Sequence, residues 1–354
     1  MINGPKYSYN DISVVAAVES EVRHRIECNP YDKNGMLPIF TAPMTSIIGQ
    51  DNLDIFENNN IYPILPRTCS LETRLTNSMV NRWSAYSLTE FETYFTKDNT
   101  YLEDLIRSSK SLKMRCLIDI ANGHMKFMMN LVKKSKERYG SNIEIMVGNI
   151  ANPLTYLEIK RCGADYVRVG IGTGKGCITS SNCSIHYPIA SLLDEIKTLK
   201  NDMGDKYPKV IADGGIRDYR DVIKALALGA DYVMIGGLFA ECLEAAGKVY
   251  YYDEAGNKVK YLGNTVGNVP LFRNFYGMAS KEGQLDLYGE KTPHTSEGIS
   301  KEIQVKYSLG QWRENMTDYL RSAMSYTNTK TLQEFKDEAK VVAISQNTYE
   351  SINR

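Results

Sequence analysis

The chain has 354 residues, 43% of them hydrophobic, with 42 lysines and arginines against 42 aspartates and glutamates. That length suits one large α/β barrel or two medium domains, and the zero formal charge argues against a protein built to coat nucleic acid or an anionic membrane. No apolar run approaches the roughly 18 residues that span a bilayer, and the start, Met1-Ile2-Asn3-Gly4-Pro5-Lys6, lacks the segments of a signal peptide, so the expected address is cytoplasmic.

In chain order, short β-rich runs alternate with longer helical patterns. The predicted strands are 37–44, 61–66, 84–88, 115–121, 143–149, 166–172, 209–214 and 232–236. Runs such as Val210-Ile211-Ala212 and Val233-Met234-Ile235 suit strands buried on both faces. An internal echo supports repeated βα units: Cys162-Gly163-Ala164-Asp165-Tyr166-Val167 and Leu228-Gly229-Ala230-Asp231-Tyr232-Val233 each place a helix-ending glycine and a short turn before a strand. The expected fold class is α/β, a single (β/α)8 TIM barrel spanning 1–354. An open doubly wound sheet is the alternative, but no GxGxxG follows the first strand. Beyond the eighth strand, 248–262 reads as a β-hairpin insertion turning at Gly256-Asn257, and 263–274 as a loop. The polar segment 283–300 reads as an active-site flap or a plain surface loop, and 303–324 as a helix.

A barrel places function at the C-terminal ends of its strands. The segment Val169-Gly170-Ile171-Gly172-Thr173-Gly174-Lys175-Gly176-Cys177-Ile178-Thr179 lies there. Its glycines permit sharp turns and expose backbone groups, and a thiol on such a loop can be activated by nearby N–H groups or by Lys175. A glycine-rich turn with an incidental cysteine is the bland alternative, and spacing alone leaves both open. Asp213-Gly214-Gly215 and Gly236-Gly237 end the last two strands. Paired glycines let the backbone approach a phosphate, and Asp213 could hold a ribose diol; tight turns are the alternative. The seven cysteines show neither CxxC nor zinc spacing and read as free thiols. His24, His124 and His186 share no metal spacing, His124 standing at the pocket rim or in a structural role, and Trp83 and Trp312 read as packing residues.

These residues carry a resemblance. Thr41-Ala42-Pro43-Met44, the loop 170–179, and 211–216 with 225–237 are similar, in order and spacing, to motifs of the inosine-5′-monophosphate dehydrogenase / guanosine-5′-monophosphate reductase family, over about residues 7–326. Within the family, three features resemble the reductase. One is Asp119-Ile120-Ala121-Asn122-Gly123 together with Phe275-Tyr276-Gly277-Met278. Another is Glu297 in Thr295-Ser296-Glu297-Gly298, where the dehydrogenases usually have Gln. The last is the absence of the dehydrogenase's hydrolytic Arg-Tyr pair, since Leu287 precedes Tyr288. The regulatory insert usual in dehydrogenases is not expected either, because only 68–113 separates the relevant elements.

The resemblance implies NADPH-dependent reductive deamination of GMP to IMP and ammonia, with NADH as the alternative cofactor. Cys177 would be the nucleophile, and Thr179 and Glu297 the acid-base pair. Gly214, Gly215, Gly236, Gly237, Gly277 and Met278 would hold the phosphate, with Ser296 and Gly298 against the base. Asp119, Ala121, Asn122 and Arg67 would approach the cofactor, with Ser322 and Ser325 at its distal end across a subunit interface of a homotetramer. Carbonyls of Gly172, Gly174 and Cys177 resemble a potassium site. Several positions depart from the reductase pattern: Arg67 replaces a Lys between Pro66 and Thr68, His294 an Arg, and Lys175 a Ser. Lys175 could reach the nucleotide phosphate or stand in for the cation. A dehydrogenase without its regulatory module and a non-catalytic purine-nucleotide-binding barrel are the competing readings.

Overall fold

The structure, a computed structural model, describes residues 4–97, 113–174, 178–201, 204, 207–263, 269–289 and 295–352. Eight parallel strands form one sheet: β2 (Ile39–Thr41), β3 (Ile64–Leu65), β4 (Trp83–Tyr86), β5 (Met114–Ile118), β6 (Ile143–Ile150), β7 (Tyr166–Val169), β8 (Lys209–Asp213) and β9 (Tyr232–Ile235). Neighbours run β2-β9-β8-β7-β6-β5-β4-β3. The two ends meet where Tyr62 N donates to Ile39 O (2.9 Å) and Thr41 N to Tyr62 O (2.9 Å), which closes the barrel. All eight predicted strands are present, each with a core inside its expected range or within a residue or two of it.

Side-chain alternation sorts the core into two bodies. Val167 and Val169 of β7 face outward into the large cluster between barrel and helices, with Leu192, Val222 and Phe239. Phe40, Ile64, Trp83, Leu117, Met146, Ile211 and Met234 fill the barrel interior. The echoed motif is one structural unit used twice. Asp165 accepts from Ile145 N (2.7 Å) and pairs with Lys136 (2.6 Å); Asp231 accepts from Val210 N (2.8 Å) and pairs with Lys200 (2.9 Å). Each aspartate thus fastens its strand to the strand before it. Gly163 and Gly229 precede these units with φ of 85° and 84°, the left-handed conformation that ends a helix.

A second, antiparallel sheet sits over the C-terminal end of the barrel. β10 (Val249–Tyr252) and β11 (Lys258–Lys260) are the expected hairpin, with Tyr251 opposite Val259. The sheet continues through β12 (Phe272–Tyr276) and β13 (Ser300–Gln304). These strands correct two expectations. The loop expected over 263–274 becomes β12 from Phe272, and the helix expected from 303 starts only at Leu309, because 303 and 304 pair with β12. Overlapping the start of the polar segment lies a helix, Lys281–Tyr288, capped by Ser280 accepting from Gly283 N (3.1 Å). Finally, β1 (Ile12–Val15) pairs antiparallel with β14 (Lys340–Ala343), tying the two ends of the chain together. No described helix is long and apolar enough to cross a membrane.

Candidate active site

Two adjoining cavities open at the C-terminal ends of the strands. The wider, about 650 Å³, is lined by the loop 170–174, Arg67, Asp119, Ala121, Asn149, Arg168, Thr179, Asp213, Met278, Tyr288 and Glu297. The narrower, about 220 Å³, is walled by Gly214, Gly215, Gly236 and Gly237 on one side and Gly277 and Met278 on the other. Both share Ala121, Gly174, Thr179, Asp213 and Glu297.

The glycine-rich loop lies directly across the turn after β8. Gly215 N donates to Thr173 O (2.8 Å), and Thr173 Oγ1 to Asp213 O (3.2 Å). A Cβ on Gly214 would collide with Thr173 Oγ1 and stand 3.0 Å from Gly174 N, and its φ is 99°. Only glycine allows this approach. The two motifs therefore form one floor.

Arg168 organises the wider cavity. It is the third residue of β7, and alternation turns it into the barrel. Its Nε donates to Asp213 Oδ2 (2.8 Å) and its Nη1 to Asp119 Oδ1 (2.8 Å). Asn149 Nδ2 adds a bond to the same Asp213 oxygen (2.7 Å) and another to Gly170 O (2.9 Å). Burial opposes the guanidinium charge, but Asp213 and Asp119 outweigh it and raise the Arg168 pKa above its ordinary value. The result is a buried line of charges, Asp119–Arg168–Asp213, under both cavities. Asp213 Oδ2 is committed to this line, which leaves Oδ1 for a ligand.

Thr179 Oγ1 donates to Glu297 Oε2 (2.9 Å), and Ile178 N donates to Glu297 O (2.9 Å). Glu297 N donates to Ala279 O (3.2 Å). The backbone thus carries the Glu297 carboxylate to the threonine beside the glycine-rich loop. Such a pair can hold and pass a proton. On the far wall, Arg67 Nη1 donates to Asp119 O (3.2 Å) and Nη2 to Tyr288 Oη (3.1 Å), so β3 reaches up to the helix 281–288 that roofs the cavity.

The structure brings most of the expected residues together. Ser296 and Gly298 flank Glu297 but line neither cavity; Ser296 Oγ donates to Gly298 O (2.5 Å). Asn122 is exposed beside Ala121 and its side chain accepts from His124 N (3.1 Å). Ser322 and Ser325 stand on the helix Leu309–Tyr326, away from the cavities; Ser322 Oγ accepts from Arg25 Nη1 (3.2 Å). The Gly172 carbonyl accepts from Ser180 Oγ (2.9 Å). Among the described residues no His, Cys, Asp or Glu group could hold a metal. Lys175, Cys177 and His294 lie outside the described residues.

His124 is structural: Nε2 accepts from Ala151 N (3.1 Å), so Nδ1 carries the proton toward Thr155 Oγ1 (2.9 Å). Burial lowers its pKa. Sequence reasoning missed Arg168 and the roof residue Gln284, and named Tyr288 only for the arginine absent beside it. A charged residue between Val167 and Val169, in a strand buried on both faces, was the available signal for Arg168.

A family model described as the IMP dehydrogenase / GMP reductase domain matches residues 110–353. An inosine-5′-monophosphate dehydrogenase from Rhodopirellula baltica is 32% identical over 241 residues, 66% of this chain and 41% of that protein. A GMP reductase from Caenorhabditis elegans is 31% identical over 252 residues, 71% of this chain and 65% of that protein. The matched part thus spans less than two thirds of either relative. A GMP reductase from Mycoplasma mycoides subsp. mycoides is 25% identical over 337 residues, covering 93% of this chain and 95% of its own. With the glycine-walled pocket, the loop laid across it and the threonine–glutamate pair all inside the matched segment, the chain belongs to the IMP dehydrogenase / GMP reductase family.

Proposed function

We propose that this chain reduces GMP to IMP and ammonia with NADPH, using Cys177 as a covalent nucleophile. The observation that carries the reading is the 2.9 Å bond between Thr179 and the Glu297 carboxylate, facing both cavities. The narrow pocket takes the 5′-phosphate between Gly214, Gly215, Gly236, Gly237 and the Gly277-Met278 wall, with Asp213 Oδ1 on the ribose. The base then extends over the glycine-rich loop, with Ser296 and Gly298 on its far side. Lys175 would serve the phosphate, and carbonyls of Gly172, Gly174 and Cys177 would hold potassium.

The Cys177 thiolate adds to C2 of guanine. Thr179 and Glu297 deliver a proton to the 2-amino group, the C2–N bond breaks and ammonia leaves. The nicotinamide, when bound, supplies a hydride to C2. Breaking of the C2–S bond returns the thiolate and frees IMP. A cavity of about 650 Å³ running past the nucleotide pocket to Arg67, Asp119 and Ala121 suits the cofactor, with Asn122 at its edge. NADH fits the same groups. In a homotetramer, Ser322 and Ser325 of a neighbouring copy would meet its distal end.

One contact favours a second reading, IMP dehydrogenase. Arg67 sets a guanidinium 3.1 Å from the Tyr288 hydroxyl, although the residue just before that tyrosine is Leu287. Parallel assays separate the two. With purified protein we expect NADPH oxidation dependent on GMP and no NAD reduction with IMP. NAD reduction with IMP alone would make the chain a dehydrogenase.

A further inference from the structure

Arg273, the second residue of β12, is fully buried, at 0% exposure. Its guanidinium meets only neutral carbonyls: Cys242 O (2.7 Å), Leu243 O (2.9 Å) and Ala240 O (3.4 Å). Its Nε has no partner. Among the described residues no carboxylate lies within ion-pair distance of it. The nearby acids are occupied elsewhere, Glu244 with Leu309 N (2.7 Å) and Glu241 with Lys306 (3.1 Å). Burial lowers the Arg273 pKa to about 10, and Cys242 and Glu244 offset this only in part. A buried cation facing dipoles alone is costly, and an apolar side chain would fill the position more simply.

Its surroundings say what the charge is for. The three carbonyls belong to the turn that follows Gly236-Gly237, the 3-10 helix Phe239–Glu241 and the residues after it. Gly236 O accepts from Phe239 N (3.0 Å) and Ala240 N (3.2 Å), so Arg273 grips the turn whose first residues wall the narrow pocket. Along the same face, Phe275 of β12 and Gly277 just past its end line that pocket from the other side. One side chain therefore joins both walls.

We propose that Arg273 is a positioning residue that makes the pocket selective for a phosphate dianion. It fixes the Gly236-Gly237 turn against the Gly277-Met278 wall and places an unpaired positive charge behind them. This rests on the reading of the glycine pocket as a phosphate site, and is independent of which redox direction the enzyme runs. The charge acts through the backbone and across a wall of buried residues, Phe239, Ala240, Cys242 and Phe275, where Coulomb attraction is weakly screened.

The test compares GMP with guanosine, by titration calorimetry, on wild type, Arg273→Lys and Arg273→Gln. Wild type binds the nucleotide far more tightly than the nucleoside. Arg273→Gln narrows that preference about tenfold with guanosine affinity unchanged, and Arg273→Lys keeps most of it. Equal losses for GMP and guanosine, or an unchanged preference in Arg273→Gln, would overturn the proposal. A wild type that does not prefer the nucleotide would overturn it together with the phosphate site itself. A second measurement needs no variant: the ³¹P shift of GMP bound to wild type, followed against pH. The bound phosphate stays dianionic well below its ordinary second pKa of about 6; titration at that ordinary value would also overturn the proposal.

Discussion

Tyr166 and Arg168 are two residues apart on β7 and both point into the barrel, yet they serve its two ends differently. Tyr166 joins an aromatic layer at the N-terminal end, where ring centroids of Trp83 and Tyr166 are 5.0 Å apart, Phe40 and Tyr232 5.2 Å, and Phe40 and Tyr62 4.9 Å. Arg168, one pleat higher, bridges two carboxylates under the cavities. At the first end, burial of ring area holds the fold, and the hydroxyls of Tyr62 (2.5 Å) and Tyr232 (3.4 Å) both donate to Asp32 at the edge. At the second, charges and glycines sit where packing alone would have placed neither. One strand thus carries an aromatic layer at its start and a charge bridge lining the wider cavity at its end.

Substitutions can break this division. The largest effect is expected from Glu297→Gln, which removes the carboxylate facing Thr179. We expect kcat to fall about 10²- to 10⁴-fold, with the melting temperature unchanged. Full activity in the variant would show that Glu297 is only a loop carboxylate. Arg168→Gln leaves Asp119 and Asp213 facing each other across the barrel. Loss of about 3–5 kcal/mol in denaturant unfolding is expected, together with weakened nucleotide binding. Trp83→Ala is the control from the opposite end. It should cost a similar amount, about 3–5 kcal/mol, while leaving KM values alone. If Trp83→Ala changed KM as Arg168→Gln does, the two ends would not be separable.

The sequence made the parallel strands legible because runs buried on both faces are nearly continuous in apolar residues, and the repeated Gly-Ala-Asp-Tyr-Val marked where two of them begin. It also placed the glycine-rich loop and the paired glycines at strand ends. What stayed hidden depended on distant partners. β1 looks like any short run until it meets β14, more than 320 residues later. The helix 281–288 is short and largely polar, so no apolar stripe announced it. Arg168 and Arg273 are single charges in β segments, and their meaning lies in groups 30 to 49 residues away.

Smaller effects sharpen the picture at the cavity roof. Tyr288→Phe deletes the hydroxyl that Arg67 holds and should raise the cofactor KM by up to about tenfold, the value of one modest hydrogen bond. An unchanged KM would remove the Arg67–Tyr288 contact from cofactor binding. The smallest effect concerns pH. Burial lowers the His124 pKa from 6.5, so the unfolded chain takes up a proton before the folded one does. The stability this group contributes is fully present above pH 6.5 and is lost as pH falls through the lower folded value. His124→Gln should flatten that part of the stability curve; an identical acid slope would assign it to other groups.

The most direct test of the chemistry is the mass of the protein itself after quenching with GMP in the absence of cofactor. The account predicts one adduct per chain, equal to the nucleotide less ammonia, on the peptide that contains Cys177, and none in Cys177→Ala. Turnover of GMP by Cys177→Ala, with no adduct on the wild type, would contradict it.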